Sequence, residues 1–174
     1  MYNRAQFWSP MPEWPQAVLE GHEVHVVPVS VGTFWQLSGD VSACLARHGV
    51  GASLGPRDPC SESSYALRLA PDSVLLVSDK PLPTQSGWQP DGYAISDITD
   101  GILAFDISGP NAAALMAQGS EYPFESNTHL PQESARLLFA GLKVIVAQRA
   151  HGWRLHIERP WAPALWRWLQ AHVE

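Results

Sequence analysis

The amino-acid sequence predicts an α+β fold in which a ββαββ unit occurs twice within a single domain and is followed by a C-terminal helix. Three observations support this prediction: an internal repeat, strand-like segments on both sides of a helical one, and an amphipathic helical tail. We expect the first copy over residues 23–79, the second over 93–158 and the tail over 162–173. Residues 1–22 are interpreted as an N-terminal arm that precedes the duplicated domain, 23–174.

The internal repeat is the strongest of these observations. In each copy an apolar strand ends in Ser-Gly and leads into a short helical segment that ends at a glycine. The matching positions are residues 34–39 (FWQLSG) and 104–109 (AFDISG), Ala43 and Ala113, Leu45 and Leu115, and Gly49 and Gly119. Because two copies are too few for a stacked solenoid, we expect them to pack on each other around one core, related by a pseudo-twofold axis.

Turn signals predict two hairpins in each copy, one before the helix and one after it. The first hairpins are expected at 23–29 with 33–37 and at 93–98 with 102–107, and the second at 66–69 with 74–78 and at 143–148 with 153–157. Ser38 and Ser108 stand where each helix is expected to begin, and we interpret them as helix N-caps. The alternation of residue types in 153–157 predicts a strand with one apolar face and one solvated face.

The N-terminal arm combines aromatic residues with helix-breaking ones. Trp8 and Trp14 favour burial, whereas Pro10, Pro12 and Pro15 exclude a long helix. The arm therefore either covers its own domain or docks on another chain, and the sequence leaves both interpretations open.

The C-terminal tail is helical by the spacing of its apolar residues, and Pro163 is tolerated in the first turn of such a helix. Two adjacent apolar stripes give this helix an unusually wide apolar face. A helix that covers only its own sheet rarely requires three tryptophans, so part of this face is a candidate partner interface; ordinary core packing is the alternative. The candidate interface residues are Trp161, Leu165, Trp166, Trp168 and Leu169.

Composition limits the class of protein. The chain has 174 residues, of which 45% are hydrophobic, and this suits one domain with a substantial core. The formal net charge of −6 argues against nucleic-acid binding, which needs clustered Lys and Arg. No apolar run approaches the roughly 20 residues of a membrane helix, so a membrane is not an expected partner either. We expect a soluble cytoplasmic protein, in which Cys44 and Cys60 are more readily explained as free thiols than as a disulfide.

No residue pattern that we identify predicts a catalytic, cofactor-binding or metal site. His22 and His25 form an HxxH pair, but residues three apart in a strand point to opposite faces and do not converge on one ion. His129, His151 and His156 are scattered without Cys or carboxylate partners, and we interpret them as solvated or edge residues. The two Ser-Gly corners match neither a nucleophile turn nor a phosphate-binding loop. Four acidic residues are interpreted as turn or edge positions: Asp91, Asp97, Asp100 and Asp106.

One known family shares the order and spacing of these segments. Residues 94–100 (AISDITD) and 105–112 (FDISGPNA), together with Leu115, resemble the gamma subunit of heterotetrameric sarcosine oxidase. Supporting segments are LRLAPD at 67–72 before LLV at 75–77, and RLHI at 154–157 with WRWL at 166–169. The resemblance covers most of the chain after about Val24.

The resemblance implies a fold. Through a related family, it also implies where a catalytic carboxylate would be found if the chain were an enzyme. The gamma subunit is related to the folate-binding domain of the glycine-cleavage aminomethyltransferase, so a folate-binding-domain architecture is implied. In the aminomethyltransferases a catalytic carboxylate follows the helix of this domain and assists one-carbon transfer to tetrahydrofolate. The corresponding residues here, 137–148, contain no Asp or Glu, and we therefore expect a noncatalytic chain.

The same resemblance implies a place in a larger enzyme. The whole enzyme oxidatively demethylates sarcosine, with FAD, FMN, NAD and tetrahydrofolate expected on partner subunits and none of them on this chain. The implied partners are alpha, beta and delta subunits, with packing against the aminomethyltransferase-like part of the alpha subunit. Two alternatives stay open: a free-standing folate-binding or one-carbon-transfer protein, and a homodimer formed by the same apolar surface.

Overall fold

Two six-stranded sheets face each other, and helices cover the outer face of each sheet. This arrangement is seen in a computed structural model, which describes residues 12–30, 32–60, 63–124 and 133–173. Trp8 and His129 lie outside the described residues. The layers form a single α+β domain, and the C-terminal helix is present as predicted.

Twelve strands and three α-helices follow one another within these described ranges. In chain order they are β1 (Leu19–Gly21), β2 (Val24–Val29), β3 (Thr33–Gly39), α1 (Val41–Arg47), β4 (Ser53–Leu54), β5 (Tyr65–Ala70), β6 (Ser73–Ser78), β7 (Gly87–Gln89), β8 (Tyr93–Asp97), β9 (Ile102–Ser108), α2 (Ala112–Gly119), β10 (Arg136–Phe139), β11 (Leu142–Arg149), β12 (Gly152–Glu158) and α3 (Ala162–His172).

The strand order shows that the chain crosses twice from one sheet to the other, after β2 and after β8. Sheet 1 has the order β1-β2-β9-β12-β11-β10, and sheet 2 has the order β4-β5-β6-β3-β8-β7. Neighbouring strands are antiparallel except for β4 and β5, which are parallel. Each sheet therefore contains strands from both the first and the second part of the chain.

The two hairpins predicted before the helices are wrong. β2 pairs with β9 in sheet 1, and β3 pairs with β8 in sheet 2, so neither predicted pair lies in one sheet. The Asp-Gly signal in the second case is part of a 3-10 turn, Thr99–Gly101, which carries the chain between the sheets instead of reversing it. The two hairpins predicted after the helices are confirmed, as β5 with β6 and β11 with β12.

Equivalent backbone contacts occur where β3 and β9 end. Gly39 and Gly109 have φ of 109° and 107°, a left-handed backbone conformation that favours glycine. A Cβ at Gly39 would lie 2.6 Å from the carbonyl oxygen of Gly92, and one at Gly109 would lie 2.3 Å from that of Glu23. The chain bends sharply at both glycines because another strand begins directly beside each of them.

The predicted serine caps are wrong. Ser38 and Ser108 belong to strands, and α1 is capped by Asp40, whose carboxylate accepts from the amide of Ala43 at 2.9 Å. Gly49 ends α1 with φ of 69°, as predicted for a C-cap glycine. Gly119 is instead the last residue of α2, where the ring of Phe139 leaves no room for a side chain.

Three apolar clusters hold the layers together. One packs α2 and α3 on sheet 1, a second packs α1 on sheet 2, and the third lies between the sheets. Trp14 packs edge-on against Phe105 and Trp166, with ring centroids 5.5 and 5.8 Å apart. The described part of the N-terminal arm therefore covers its own domain.

Replacing Gly109 by alanine tests the close approach at the end of β9. The new Cβ would clash with the Glu23 carbonyl at a left-handed φ, so we expect Gly109→Ala to destabilise the fold by about 2 kcal/mol or more. Gly51→Ala is the matched control, because a Cβ there meets nothing within 4 Å, and it should change stability by less than about 0.5 kcal/mol. Urea unfolding measures both, and equal stabilities would contradict the described contact.

Candidate functional site

Three of the five candidate interface residues are buried in the chain's own core. Leu165 and Leu169 have no exposed surface and Trp166 is 5% exposed, in the cluster between α3 and sheet 1. The Trp166 ring lies 5.7 Å from that of Phe105. In this fold these three side chains cannot contact a partner, and core packing accounts for them.

The other two candidates are more accessible. Trp161 is 54% exposed, and Trp168 is half-buried, packing edge-on against Phe139 with a centroid distance of 4.9 Å. Trp168 also stacks on His172 at 4.0 Å. The interface prediction therefore stays open for Trp161 and the exposed side of Trp168.

Further exposed apolar side chains were not predicted from the sequence. They are Val18, Trp88 and Leu138. Trp88 lies in β7 and Leu138 in β10, and each of these strands stands at the end of its sheet. Edge position depends on tertiary topology, so no local sequence signal distinguishes these residues from core ones.

A buried histidine connects the two sheets, which corrects the interpretation of His156 as a solvated residue. His156 of β12 has no exposed surface; its Nε2 lies 3.0 Å from the hydroxyl of Tyr65 in β5 and its Nδ1 lies 3.0 Å from the carbonyl oxygen of Ile145. A carbonyl only accepts, so Nδ1 carries the proton and Nε2 accepts from the Tyr65 hydroxyl. Burial lowers the pKa of His156 from 6.5 to about 4, and the ring is therefore neutral at physiological pH. The face predicted to be wet is packed against the other sheet.

An ion pair occupies the same layer. Arg154 donates to both carboxylate oxygens of Asp106, at 2.6 and 2.8 Å, and both side chains are largely shielded from solvent. Asp106 is thus not a turn or solvent-edge residue, unlike Asp91, Asp97 and Asp100, which are exposed.

The two cysteines are free thiols, as favoured by the sequence. Burial raises the pKa of Cys44 to about 11, so this thiol is un-ionised and inert. Cys60 lies 3.1 Å from a guanidinium nitrogen of Arg149, in the layer between the sheets.

A second polar cluster connects the segment between β4 and β5 with the segments that follow α2 and precede β10. Arg57 is 5% exposed; its Nε donates to the Tyr122 hydroxyl at 3.0 Å, and its guanidinium lies 3.7 Å from Glu133. The Tyr122 hydroxyl in turn donates to the Glu133 carboxylate. Every member of this cluster is engaged by another, so the cluster holds these segments in place.

A motif that the sequence analysis missed is also structural. Residues 51–55 (GASLG) match the GxSxG pattern of serine nucleophiles. Ser53, however, lies in the short edge strand β4, and its hydroxyl accepts from Arg68 Nε at 3.1 Å rather than donating to a histidine. The strand-turn-helix context that a nucleophile requires is not formed here.

A cleft of about 480 Å³ opens between the sheets above His156. Sheet 2 contributes Gln36, Leu69 and Leu75, while the wall from sheet 1 carries the charged residues. Those charged residues are Arg136, Lys143 and Glu158, all exposed. The cleft is large enough for a small ligand, and its lining carboxylate, that of Glu158, is exposed to solvent.

Metal binding finds no support in the described ranges. No three His, Cys, Asp or Glu side chains there come close enough to hold an ion. His22 is exposed in a turn, and His25, which is also exposed, lies 3.8 Å from Glu20. Within the same ranges no helix is both long and apolar enough to cross a membrane.

Comparison with known proteins identifies a structural neighbour. The fold is similar to a chain in the structure of heterotetrameric sarcosine oxidase from Corynebacterium sp. U-96 in complex with pyrrole 2-carboxylate. The TM-score is 0.66 at 19% sequence identity, and the match covers 86% of this chain and 83% of that chain. No protein-family model and no curated protein matches the sequence. The likeness therefore shows that the chain has the fold of a subunit of a multisubunit oxidase.

The buried His156 predicts a pH dependence of stability. The unfolded histidine binds a proton below about pH 6.5, whereas the buried one binds it only near pH 4, so the unfolded state gains protons first. We expect the free energy of unfolding to fall as the pH is lowered through this window, by about 3 kcal/mol. Urea unfolding of His156→Gln should show a shallower pH dependence than wild type. His151→Gln removes an exposed histidine as a control, and a wild-type slope in His156→Gln would contradict the assignment.

Removing one partner of the ion pair between the sheets should lower the free energy of unfolding far more than removing one partner of an exposed pair. Asp106→Ala leaves Arg154 shielded and without its carboxylate, and we expect a loss of about 3 kcal/mol. Asp91→Ala removes the partner of Arg47 from an exposed pair at 2.8 Å, and we expect less than about 1 kcal/mol. Thermal or urea unfolding separates the two outcomes, and similar losses would argue against a shielded pair.

Proposed function

We propose that this chain is a noncatalytic, gamma-like structural subunit of a sarcosine-oxidase-like complex that oxidatively demethylates sarcosine. The observation that carries the proposal is the fold likeness to a chain of a heterotetrameric sarcosine oxidase. The match extends over most of both chains, and the oxidase chain is therefore matched nearly as a whole rather than through one small domain.

The partners of the shielded polar side chains support a noncatalytic role. Asp106 is engaged by Arg154, His156 by Tyr65, and Glu133 by Tyr122. Residues 137–148, where the related aminomethyltransferases carry their carboxylate, form β10 and β11 and contain no acid. Each of these groups thus has a structural partner inside the fold.

We infer that the domain consists of two ββαββ halves with the folate-binding-domain architecture, the first over 23–79 and the second over 93–158. Equivalent strands occupy equivalent places: β2 lies between β1 and β9 in sheet 1, as β8 lies between β7 and β3 in sheet 2. The hydrogen bond from the Asp40 amide to Gly92, 3.0 Å, has its counterpart in that from Asn111 to Glu23, 3.1 Å. Each half thus lends its first strand to the sheet of the other.

Partners and cofactors follow from the proposed assembly. We propose that the chain packs against the aminomethyltransferase-like part of an alpha subunit, in a complex that also contains beta and delta subunits. FAD, FMN, NAD and tetrahydrofolate would then be bound by those partners, and the complex would be cytoplasmic. The exposed apolar residues Trp88, Leu138 and Trp161 supply surface that association would cover.

Co-purification tests this function. The chain is co-expressed with the alpha, beta and delta chains of its own organism, and the mixture is fractionated by size-exclusion chromatography at micromolar concentration. We expect this chain to elute with the alpha chain. When this chain alone is omitted and the alpha, beta and delta chains stay assembled, we expect sarcosine oxidation to persist. Elution as a separate species would contradict the proposal, and a self-associated species would favour the homodimer.

The inter-sheet cleft favours a second candidate, a free-standing folate-binding or one-carbon-transfer protein. Its volume of about 480 Å³ and its cationic rim suit a small acidic ligand. Titration with tetrahydrofolate, read by tryptophan fluorescence, separates the candidates. The structural role predicts no saturable response, and a saturable response that is lost in Lys143→Gln would favour the folate-binding protein.

A further inference from the structure

One edge of sheet 1 has backbone groups that no strand pairs with. β10 ends the sheet and pairs only with β11, through a two-residue turn at Ala140 and Gly141. The amide of Val146 donates to the carbonyl oxygen of Ala135 at 2.9 Å. This bond fixes which residue pairs of β10 and β11 are hydrogen-bonded and which are not. Arg136 and Leu138 are the non-hydrogen-bonded positions, so their backbone groups point away from β11.

Most of these outward groups have no acceptor or donor within the described ranges. The Arg136 amide donates to Ser134 Oγ at 3.2 Å. The amide and carbonyl of Leu138 and the carbonyl of Arg136 are left facing outward. An exposed edge of this kind is the template to which an extended chain adds as a further strand.

The side chains along this edge are apolar and cationic. Leu138 is 62% exposed and stands opposite Lys143 in the register of β10 and β11. Arg136 and Lys143 reach the cleft between the sheets, and neither has a carboxylate within ion-pair distance in the described ranges. Glu158 also lines the cleft, so this rim carries two cations and one anion on a chain whose net charge is −6.

We propose that the β10 edge, with Arg136, Leu138 and Lys143, is the docking site for an extended acidic segment of a partner subunit; this rests on the function proposed above. The segment adds to sheet 1 as a strand beside β10. It carries an apolar side chain against Leu138 and a carboxylate two residues away against Arg136 or Lys143, because side chains two apart share a face.

Charge decides between a partner of this kind and a second copy of the chain. Pairing of two copies through β10 would place the Arg136 of each copy on adjacent strands, with Lys143 one strand further away, and like charges close to each other destabilise a sheet. The same cations favour an acidic strand. They also disfavour pairing of the edge with itself, since charged residues on edge strands oppose self-association.

A charge reversal with a matched control tests the docking site in the assembled complex. Lys143→Glu places an anion at the edge, whereas Lys80→Glu makes the same change at an exposed site away from it. We expect Lys143→Glu, and independently Leu138→Ser, to weaken binding to the alpha chain about tenfold or more, with Lys80→Glu close to wild type. If the complex forms and the three variants bind equally well, the docking site is wrong while the proposed function stands.

A peptide titration tests the edge without any partner subunit. The ¹⁵N-labelled chain is titrated with acetyl-Glu-Thr-Val-Thr-Glu-amide, whose valine and two glutamates share one face of a strand, and, separately, with the peptide in which lysine replaces each glutamate. We expect the amide resonance of Leu138 to shift with the acidic peptide only, and the shift to be lost in Lys143→Glu. The absence of a shift, or equal shifts with both peptides, would show that the docking site is wrong. This result is decisive even if co-purification has already shown that the proposed function is wrong.

Discussion

The two sheets are held face to face by one shared layer, and the rest of the structure depends on this contact. The layer is mainly apolar, with Phe34, Leu67 and Leu75 facing sheet 1. Within it the hydrogen bond from Tyr65 to His156 is buried, and the ion pair of Arg154 with Asp106 is largely shielded from water. Because the chain crosses between the sheets after β2 and after β8, the part of the chain before β7 cannot separate from the rest without breaking strand pairs in both sheets.

This layer also limits what the molecule can do. The polar groups that most resemble catalytic ones lie inside it and satisfy each other, so their role is to set the spacing and register of the sheets. What remains accessible is the surface: the half-open cleft, the free edge of β10 and the exposed apolar residues. A structural role in an assembly uses such features directly, and the fold likeness to a chain of a heterotetrameric oxidase agrees with it.

The sequence predicted features with a local cause and missed those that depend on how the sheets meet. The second hairpins and α3 follow from turn residues and periodicity, and the structure contains them. The first hairpins failed because a short loop with Asp-Gly serves equally well for a crossing between sheets. His156 was taken as solvated because alternation shows that a face is polar, not whether another sheet covers it. The burial of Trp166, likewise, depends on where the N-terminal arm packs.

The central claim is that this chain acts by binding other subunits through its surface. Hydrogen–deuterium exchange measures this most directly, by comparing the chain alone with the chain in the presence of the purified alpha chain. The account predicts slower exchange in β10 and the adjoining turn, with the buried strands β9 and β12 unchanged. Exchange that is the same in both samples would contradict it, as would protection confined to the floor of the cleft on addition of tetrahydrofolate alone.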